Sequence, residues 1–173
     1  MIAPDQATRH SDVPAEYQII GIQGIHYTVS DLEKTQAFFH DVLGMLLTDH
    51  IAHPIPAPGE ESRLIQSTSL KPSRLGRGAI DHIAYSVPGR KDLDQILEQA
   101  KENNISVEKI IDRGYFQSLY LREPSGLRIE IATDQPGFTL DEPLEKLGET
   151  FALPDFLEPK RKTIESTILN RKK

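Results

Sequence analysis

The sequence contains no cysteine and no tryptophan, and two methionines among its 173 residues. Without cysteine the chain has no disulfides, no thiolate metal ligands and no cysteine nucleophile. Any transition metal must therefore be bound through nitrogen and oxygen atoms. No apolar run approaches the length that spans a membrane, and the first residues lack a hydrophobic stretch typical of a signal peptide. We therefore expect a cytoplasmic protein that does not bind a membrane.

The charge of the chain is acidic, and its basic residues are scattered. The formal net charge is −6 and the isoelectric point is near 5.5. Both observations argue against nucleic acid as the main partner, because nucleic-acid-binding surfaces concentrate positive charge. The length is sufficient for one domain with a real core, or for two small halves that share one.

The chain divides into two similar units between polar ends, and such a repeat indicates the architecture. We expect a polar leader at residues 1–18, a domain at 19–134 and a C-terminal tail at 135–173. The domain comprises two modules, residues 21–75 and residues 78–134.

Both modules begin with a strand that continues into a helix. In the first module the helix starts at Ser30 or Asp31, runs through Val42 and ends at Gly44, and the proline-rich stretch HPIPAPGEES is expected to be a loop. In the second module one helix is followed by three strands. Its predicted elements are the strand at His82, a helix from about Arg90 to Asn103, and strands around Val107–Ile111, Tyr115–Arg122 and Leu127–Thr133.

Three residues far apart in the chain, His26, His82 and Glu130, lie in strand-like stretches with period-two alternation. In each stretch the apolar residues share one face, so the candidate residue lies on the face that the core does not need. The two histidines also occupy corresponding positions of the two modules. A lone strand histidine is more often structural, but the repeat and the cost of an unpaired buried carboxylate favour a metal site. Two imidazoles and one carboxylate with open coordination positions suit non-heme Fe(II).

The segment Glu123-Pro124-Ser125-Gly126-Leu127 has the pattern of a tight hairpin. This turn places Tyr120 directly opposite Glu130, so that a phenol lies beside the candidate carboxylate. It also places Arg122 opposite Arg128, which is repulsive unless an anion or a glutamate lies nearby.

Two further candidate residues are Tyr120 and Arg113. The pattern alone leaves open whether Tyr120 only packs with its hydroxyl bonded. It equally leaves open whether Arg113, in the turn Asp112-Arg113-Gly114, is a solvated hairpin tip.

These residues lie in segments that resemble the vicinal oxygen chelate superfamily, which includes glyoxalases, bleomycin-resistance proteins and extradiol dioxygenases. The resemblance extends from about Ile19 to Pro159 and is greatest to the hydroquinone-cleaving dioxygenase branch. The segments that carry it are GIHYTVSDLEKTQAFFHDVLGM, GRGAIDHIAYSVPG and DRGYFQSLYLREPSGLRIEIATDQPGF.

The resemblance implies an α+β fold in which two βαβββ modules form one open eight-stranded barrel around a metal site. It implies that His26, His82 and Glu130 bind Fe(II), or alternatively Mn(II) or another divalent metal. Tyr120 then assists at the metal and Arg113 contacts the substrate. The implied reaction is cleavage of a small hydroquinone-like or catechol-like aromatic by O2. No histidine occupies the places where catechol-cleaving relatives carry additional ones, Ile111 being near one of them, so the resemblance favours hydroquinones.

Proteins of this branch usually have two such domains, and the residues SDVPAEYQIIGI resemble the connector between them. The chain resembles the C-terminal half, so we expect it to act as a homodimer or with a partner that supplies the N-terminal half. Two other functions remain open: a glyoxalase-type metal-dependent isomerase or lyase, and a non-catalytic small-molecule-binding module of the resistance type.

Overall fold

The structure is a computed structural model, which describes residues 12–19, 22–54, 61–69, 71 and 74–170. In these residues, eight strands form two four-stranded sheets, and helices accompany each sheet. The strands are β1 (Gly24–Val29), β2 (Leu46–Thr48), β3 (Ile51–His53), β4 (Glu61–Gln66), β5 (Ile83–Val87), β6 (Ser106–Asp112), β7 (Gln117–Arg122) and β8 (Arg128–Thr133). The α-helices are α1 (Leu32–Ala37), α2 (Arg90–Glu102) and α3 (Arg161–Asn170).

The two sheets have the same topology. The strand orders are β1-β4-β3-β2 and β5-β8-β7-β6, with the first pair of each sheet parallel and the other pairs antiparallel. Each sheet therefore comes from one βαβββ module, and the two sheets do not close into a complete barrel. The predicted fold class, α+β with two such modules in an open arrangement, is confirmed.

The first helix begins at Leu32, one residue after the later of its two predicted starts. Asp31 is the N-cap, and its carboxylate accepts a hydrogen bond from Lys34 N at 3.1 Å. The helix continues as a π-helical turn through Val42, and Gly44 follows with a φ of +67°. No helix in the described ranges is long and apolar enough to cross a membrane.

The predicted proline-rich loop of the first module is wrong at both ends. His53 closes β3, and Glu61 and Ser62 begin β4. These residues are paired because β3 and β4 run antiparallel, with Ala52 opposite Ser62. Residues 55–60 of this stretch, like residues 1–11 of the leader, lie outside the described residues.

Each sheet buries one face against its helix and leaves the other face to polar residues. Tyr27 and Val29 on β1 are buried, as are Ile129 and Ile131 on β8. His26, between two inward residues, is exposed. This alternation follows from the period of two along a strand, and it confirms the faces predicted for β1.

The β7–β8 hairpin has the predicted register. Tyr120 is opposite Glu130, and Arg122 is opposite Arg128. Gly126 N donates to Glu123 O at 2.8 Å, and Gly126 has a φ of +88°, which the tight turn requires and glycine adopts without steric cost. The turn residues therefore determine which side chains face each other.

The hairpin turn also joins the two modules. Thr35 of α1 donates from its hydroxyl to Glu123 Oε2 at 2.8 Å. Ser125 Oγ accepts from the backbone N–H groups of Ser30 at 3.0 Å and Asp31 at 3.2 Å. Because Glu123 and Ser125 are buried, these bonds replace the water that the turn would otherwise need.

A second contact between the modules is made by hydroxyl groups. The hydroxyls of Tyr27 and Tyr85 are 2.5 Å apart, and Ser62 Oγ lies 2.6 Å from the Tyr85 hydroxyl. Burial raises the pKa of Tyr27 far above its ordinary value, so its phenol stays neutral. The two modules thus share a polar contact within an otherwise apolar core.

Candidate functional site

The centre of the candidate site is a pair formed by His82 and Glu130. His82 Nε2 lies 2.7 Å from Glu130 Oε2. Glu130 is 5% exposed, on the middle of β8, whereas His82 directly precedes β5 and is half-buried. Because β5 and β8 are parallel neighbours with Ala84 opposite Glu130, residue 82 lies two positions earlier on the same face. The structure therefore brings together two of the three predicted metal ligands.

The two histidines are not at corresponding positions of their modules. Val29 O accepts from Ser67 N, and Val87 O accepts from Asp134 N, so these two valines are equivalent. His26 and Ala84 each lie three residues before their valine, so His26 corresponds to Ala84. The prediction that His26 corresponds to His82 is therefore wrong by two residues. A shift of two positions retains the face of a strand, so His26 still lies on the polar side of β1.

His26 itself lies exposed on β1, opposite Arg63 of β4. Across the described ranges, no group of three or more His, Cys, Asp or Glu side chains is arranged to hold a metal ion. The second module therefore supplies an assembled pair, and His26 does not join it in this structure. The carboxylate position of the second module is occupied in the first by Arg63.

Tyr120 packs directly against this pair. It lies opposite Glu130, and its ring meets the His82 ring edge to face, with 5.6 Å between the centroids. Its hydroxyl accepts a hydrogen bond from Arg113 Nη2 at 3.4 Å. The Nζ of Lys109 lies 5.2 Å from the Tyr120 ring centroid. The two candidates Tyr120 and Arg113 are thus in contact, with a second cation beside them.

A bulge in β6 explains why Lys109 faces the site. Val107 is opposite Leu121 and Lys109 is opposite Tyr120, so Glu108 is an extra residue between them. A bulge redirects side chains that would otherwise alternate. Here it brings the consecutive residues Glu108 and Lys109 to the polar face of the sheet.

Glu108 offsets the repulsion between Arg122 and Arg128, which the hairpin register places opposite each other. It accepts hydrogen bonds from Nε of Arg122 and from Nε of Arg128, the latter at 2.8 Å. Partial burial raises the pKa of Glu108, but the two arginines together outweigh it and bring the pKa below its ordinary value. The predicted need for a nearby anion or glutamate is confirmed.

Asp81 binds the other nitrogen of His82. Asp81 Oδ2 lies 2.8 Å from His82 Nδ1, and both Asp81 oxygens accept from Arg128 Nη1, at 3.0 and 3.1 Å. The hydrogen bond to His82, followed by Arg128, lowers the pKa of Asp81. An ionised carboxylate can only accept, so Asp81 favours a hydrogen on Nδ1. Nε2 faces Glu130 Oε2, and a cation bound between these two atoms would use the Nε2 lone pair.

The donor chemistry of the pair fits a divalent metal. An imidazole nitrogen and a carboxylate oxygen are the ligand types that Fe(II) and Mn(II) accept in sites without thiolates. His82 Nε2 and Glu130 Oε2 are 2.7 Å apart, a hydrogen-bond distance, so the two atoms face each other and would be the ones to hold the metal.

Arg113 is presented by a turn that the C-terminal tail covers. A Cβ at Gly114 would lie 2.5 Å from Pro154 of the tail, so the tail and the β6–β7 turn are in close contact. Tyr115 donates to Asp141 at 2.5 Å, and this bond raises the pKa of Tyr115 to about 12. The tail therefore supports the turn from which Arg113 reaches Tyr120.

Three residues at the site were missed by sequence reasoning: Asp81, Glu108 and Lys109. Arg128 was predicted only to lie opposite Arg122. A signal existed for Glu108, because the opposed arginines required an anion. A signal also existed for Asp81, which adjoins His82. No sequence pattern around Lys109 predicts the bulge that brings this residue to the site.

The structure thus has two open, mixed sheets, one of which carries a histidine and a carboxylate in contact on its polar face. Residues 21–131 match the model of the Glyoxalase/Bleomycin resistance protein/Dioxygenase superfamily, and the chain belongs to this superfamily.

Among curated proteins, the chain is 32% identical to a Bacillus subtilis protein provisionally named ring-cleaving dioxygenase MhqA. That alignment covers 92% of this chain and 54% of the relative. It is 38% identical to a chlorohydroquinone/hydroquinone 1,2-dioxygenase from Sphingobium indicum, over 49% of this chain and 26% of the relative. The chain thus spans about half the length, or less, of these two relatives.

Among solved structures, a Bacillus subtilis protein provisionally described as a dioxygenase superposes with a TM-score of 0.72 and 28% identity. The superposition covers 90% of this chain and 51% of that one. A glyoxalase/dioxygenase from Nostoc punctiforme, at 21% identity and a TM-score of 0.58, supports the fold alone.

Proposed function

We propose that this chain is the metal-binding, ring-cleaving domain of an aromatic dioxygenase. The observation that carries the proposal is the contact of 2.7 Å between His82 Nε2 and Glu130 Oε2, with Tyr120 opposite Glu130 and hydrogen-bonded to Arg113. The names of the relatives support the reaction class, since they include ring-cleaving and hydroquinone dioxygenases.

His82 and Glu130 hold the metal in this proposal, and His26 is the third ligand. Fe(II) is the preferred ion, with Mn(II) as the alternative, because both accept a set of two imidazoles and one carboxylate. When bound, such an ion supplies a template for an aromatic oxygen and O2 and a path for electrons between them. His26 lies exposed on β1 opposite Arg63, so this proposal requires it to approach the His82–Glu130 pair when the metal binds.

The remaining site residues orient the substrate and handle its charge. The Tyr120 hydroxyl is placed to hydrogen-bond a substrate oxygen or to pass a proton to it. Arg113 contacts the Tyr120 hydroxyl, Lys109 lies over the Tyr120 ring, and both cations favour an ionised, negatively charged aromatic alcohol. The substrate is therefore a small aromatic diol bound as its anion. By the resemblance, catechol-cleaving relatives carry an additional histidine near the place of Ile111, and its absence here favours hydroquinones.

The decisive experiment is metal analysis after anaerobic purification, followed by oxygen uptake on a panel of hydroquinones and catechols. We expect Fe(II)-dependent oxygen consumption with a ring-opened product, and its loss in Glu130→Ala. Conversion of a substrate without oxygen uptake would instead identify an isomerase or lyase. Tight binding of aromatics with neither metal nor turnover would identify a binding module.

We also propose that the chain works in an assembly. Several large apolar side chains before β1 and β5 are strongly exposed, and apolar surface of this kind is typical of interfaces. They are Tyr17, Ile19, Ile22 and Ile80. A homodimer with two-fold symmetry is the expected assembly, and a partner supplying another domain of this type is the alternative.

Sedimentation velocity at micromolar concentration tests the assembly. We expect a dimer that Ile22→Asp dissociates. Leu46→Asp, at an exposed position of β2, is the control and should leave the dimer intact. If the wild-type chain is monomeric and also fails to bind another domain of this type supplied as a separate chain, both the homodimer and the partner assembly are contradicted.

A further inference from the structure

The charged residues that adjoin His82 form one connected cluster of Asp81, Arg128, Glu108 and Arg122. Arg122 and Arg128 both donate to Glu108. Arg128 also donates to both carboxylate oxygens of Asp81, and Asp81 accepts from His82 Nδ1. The cluster therefore connects the opposed arginines of the β7–β8 hairpin to one nitrogen of the candidate metal ligand.

We propose that Asp81 is a positioning residue for His82, and that Arg128, held by Glu108, keeps Asp81 in place. The contact fixes the orientation of the imidazole ring so that Nε2 points to the metal position beside Glu130. This inference rests on the proposed function, because it assigns a purpose to the cluster only if His82 binds a metal.

His82 needs such support because it lies outside the sheet. It directly precedes β5, so its backbone is not held by the strand pairing that begins at Ile83. The edge contact with Tyr120 restricts the ring from one side. A hydrogen bond at the other ring nitrogen selects the tautomer and fixes the ring plane, as carboxylates commonly do for metal-binding histidines.

Asp81 could not supply this support alone. Its side chain is 60% exposed, and an isolated surface carboxylate forms only weak contacts. The side chains of Arg128 and Glu108 are 19% and 21% exposed, and they belong to β8 and β6, the strands on either side of β7. Their mutual ion pair places the guanidinium firmly, and the guanidinium then holds both oxygens of Asp81.

The test compares Asp81→Asn, Arg128→Lys and Asp94→Asn with the wild-type chain. Asp94 is the matched control, since it is also an ion-paired aspartate, bonded to Arg90 within α2 at 2.8 Å. The probes are Fe2+ under argon and Mn2+ in air, titrated by calorimetry. The second measurement is the 15N–1H spectrum of the histidine rings in the metal-free protein, which reports the state of Nδ1 without any turnover.

We expect Asp81→Asn to weaken metal binding about 10- to 100-fold, the range typical when a partner of a metal-binding histidine is removed. Arg128→Lys, which keeps the charge but loses the planar fork, should weaken it less, and Asp94→Asn should bind as the wild type does. The Nδ1 proton signal of His82 should change in Asp81→Asn and should not change in Asp94→Asn.

Equal metal affinity of Asp81→Asn and the wild type would overturn the inference, as would an equal loss in Asp94→Asn. A wild-type chain that binds neither ion would contradict the proposed function instead. In that case the ring spectrum decides: an Nδ1 signal that Asp81→Asn changes supports the positioning contact, and an unchanged signal refutes it.

Discussion

His82 and Glu130 meet at 2.7 Å although 47 residues separate them in the chain and only one of them belongs to a strand. The parallel pairing of β5 with β8 produces this contact, because it places residue 84 opposite residue 130 and residue 82 just beyond. The polar faces of both strands then converge at one end of the sheet. Substitutions of the residues around this pair, and of the residues that join the modules, test these contacts.

The first concerns Tyr120, which contacts both members of the pair. Tyr120→Phe should retain the metal and reduce kcat by about 100-fold or more, as loss of a proton-transferring group typically does. Glu130→Ala should lose metal and activity together. Metal content and kcat measured on the same preparations separate the two roles, and equal metal loss in both variants would show that Tyr120 is instead needed to hold the site together.

Arg113 should act on the substrate and not on the metal. Its guanidinium reaches the Tyr120 hydroxyl from an exposed turn, so Arg113→Ala should raise KM for hydroquinones about tenfold, equivalent to about 1.4 kcal/mol. The metal content should stay at the wild-type level. Lys101→Ala, at an exposed position of α2, is the control. An unchanged KM in Arg113→Ala would identify Arg113 as a solvated turn residue.

Thr35 and Glu123 should contribute measurably to stability because they join the modules. Glu123 is 2% exposed and accepts from the Thr35 hydroxyl at 2.8 Å and from Leu127 N at 2.9 Å. Thr35→Val keeps the shape but removes one donor from a buried carboxylate, which should cost about 1–3 kcal/mol in the free energy of unfolding.

Urea denaturation measures this cost. Thr48→Val, an exposed threonine of β2, is the matched control and should change the stability by less than about 0.5 kcal/mol. A similar, small effect of both substitutions would show that the Thr35 hydroxyl bond contributes little.

Glu108 should make stability depend on acid. Its folded pKa lies below the ordinary value of 4.5, so its contribution is fully present above pH 4.5 and is lost as the pH falls through the lower folded pKa. Glu108→Gln should therefore destabilise the protein at pH 7, by about 0.5–1 kcal/mol, because water screens its two ion pairs. The difference between variant and wild type should shrink at acidic pH.

Denaturation curves between pH 3 and pH 7 check this expectation. Glu98→Gln, on the exposed side of α2, serves as the control and should show the same stability as wild type throughout. A Glu108→Gln difference that is constant over this range would contradict the assignment of an ionised Glu108 between Arg122 and Arg128.

Much of the fold could be predicted from local patterns. The period of two identified β1, β5 and β8, and the helical spacing identified α2 to within a residue of its observed end at Glu102. The turn residues of the β7–β8 hairpin determined its register, because proline and glycine permit few turn geometries. This register alone placed Tyr120 beside Glu130.

Features that depend on non-local pairing could not be predicted in the same way. The predicted correspondence of His26 with His82 was wrong by two residues. Which residues of the two modules correspond depends on where each helix starts and on the register of each parallel strand pair, and the residues next to the histidines specify neither. The short strands β2 and β3, of three residues each, carry too few positions for a pattern. Proline-rich neighbours concealed the start of β4.

The sequence by itself determined which residue types are available for a metal and which face of each strand they occupy, since those follow from composition and from strand geometry. Only the tertiary structure decided which of them meet. The β6 bulge brings Glu108 and Lys109 to the polar face, and strand pairing brings Asp81, His82 and Glu130 together, while His26 stays apart from them. These contacts depend on distances between strands that are far apart in the chain, and no local preference specifies such distances.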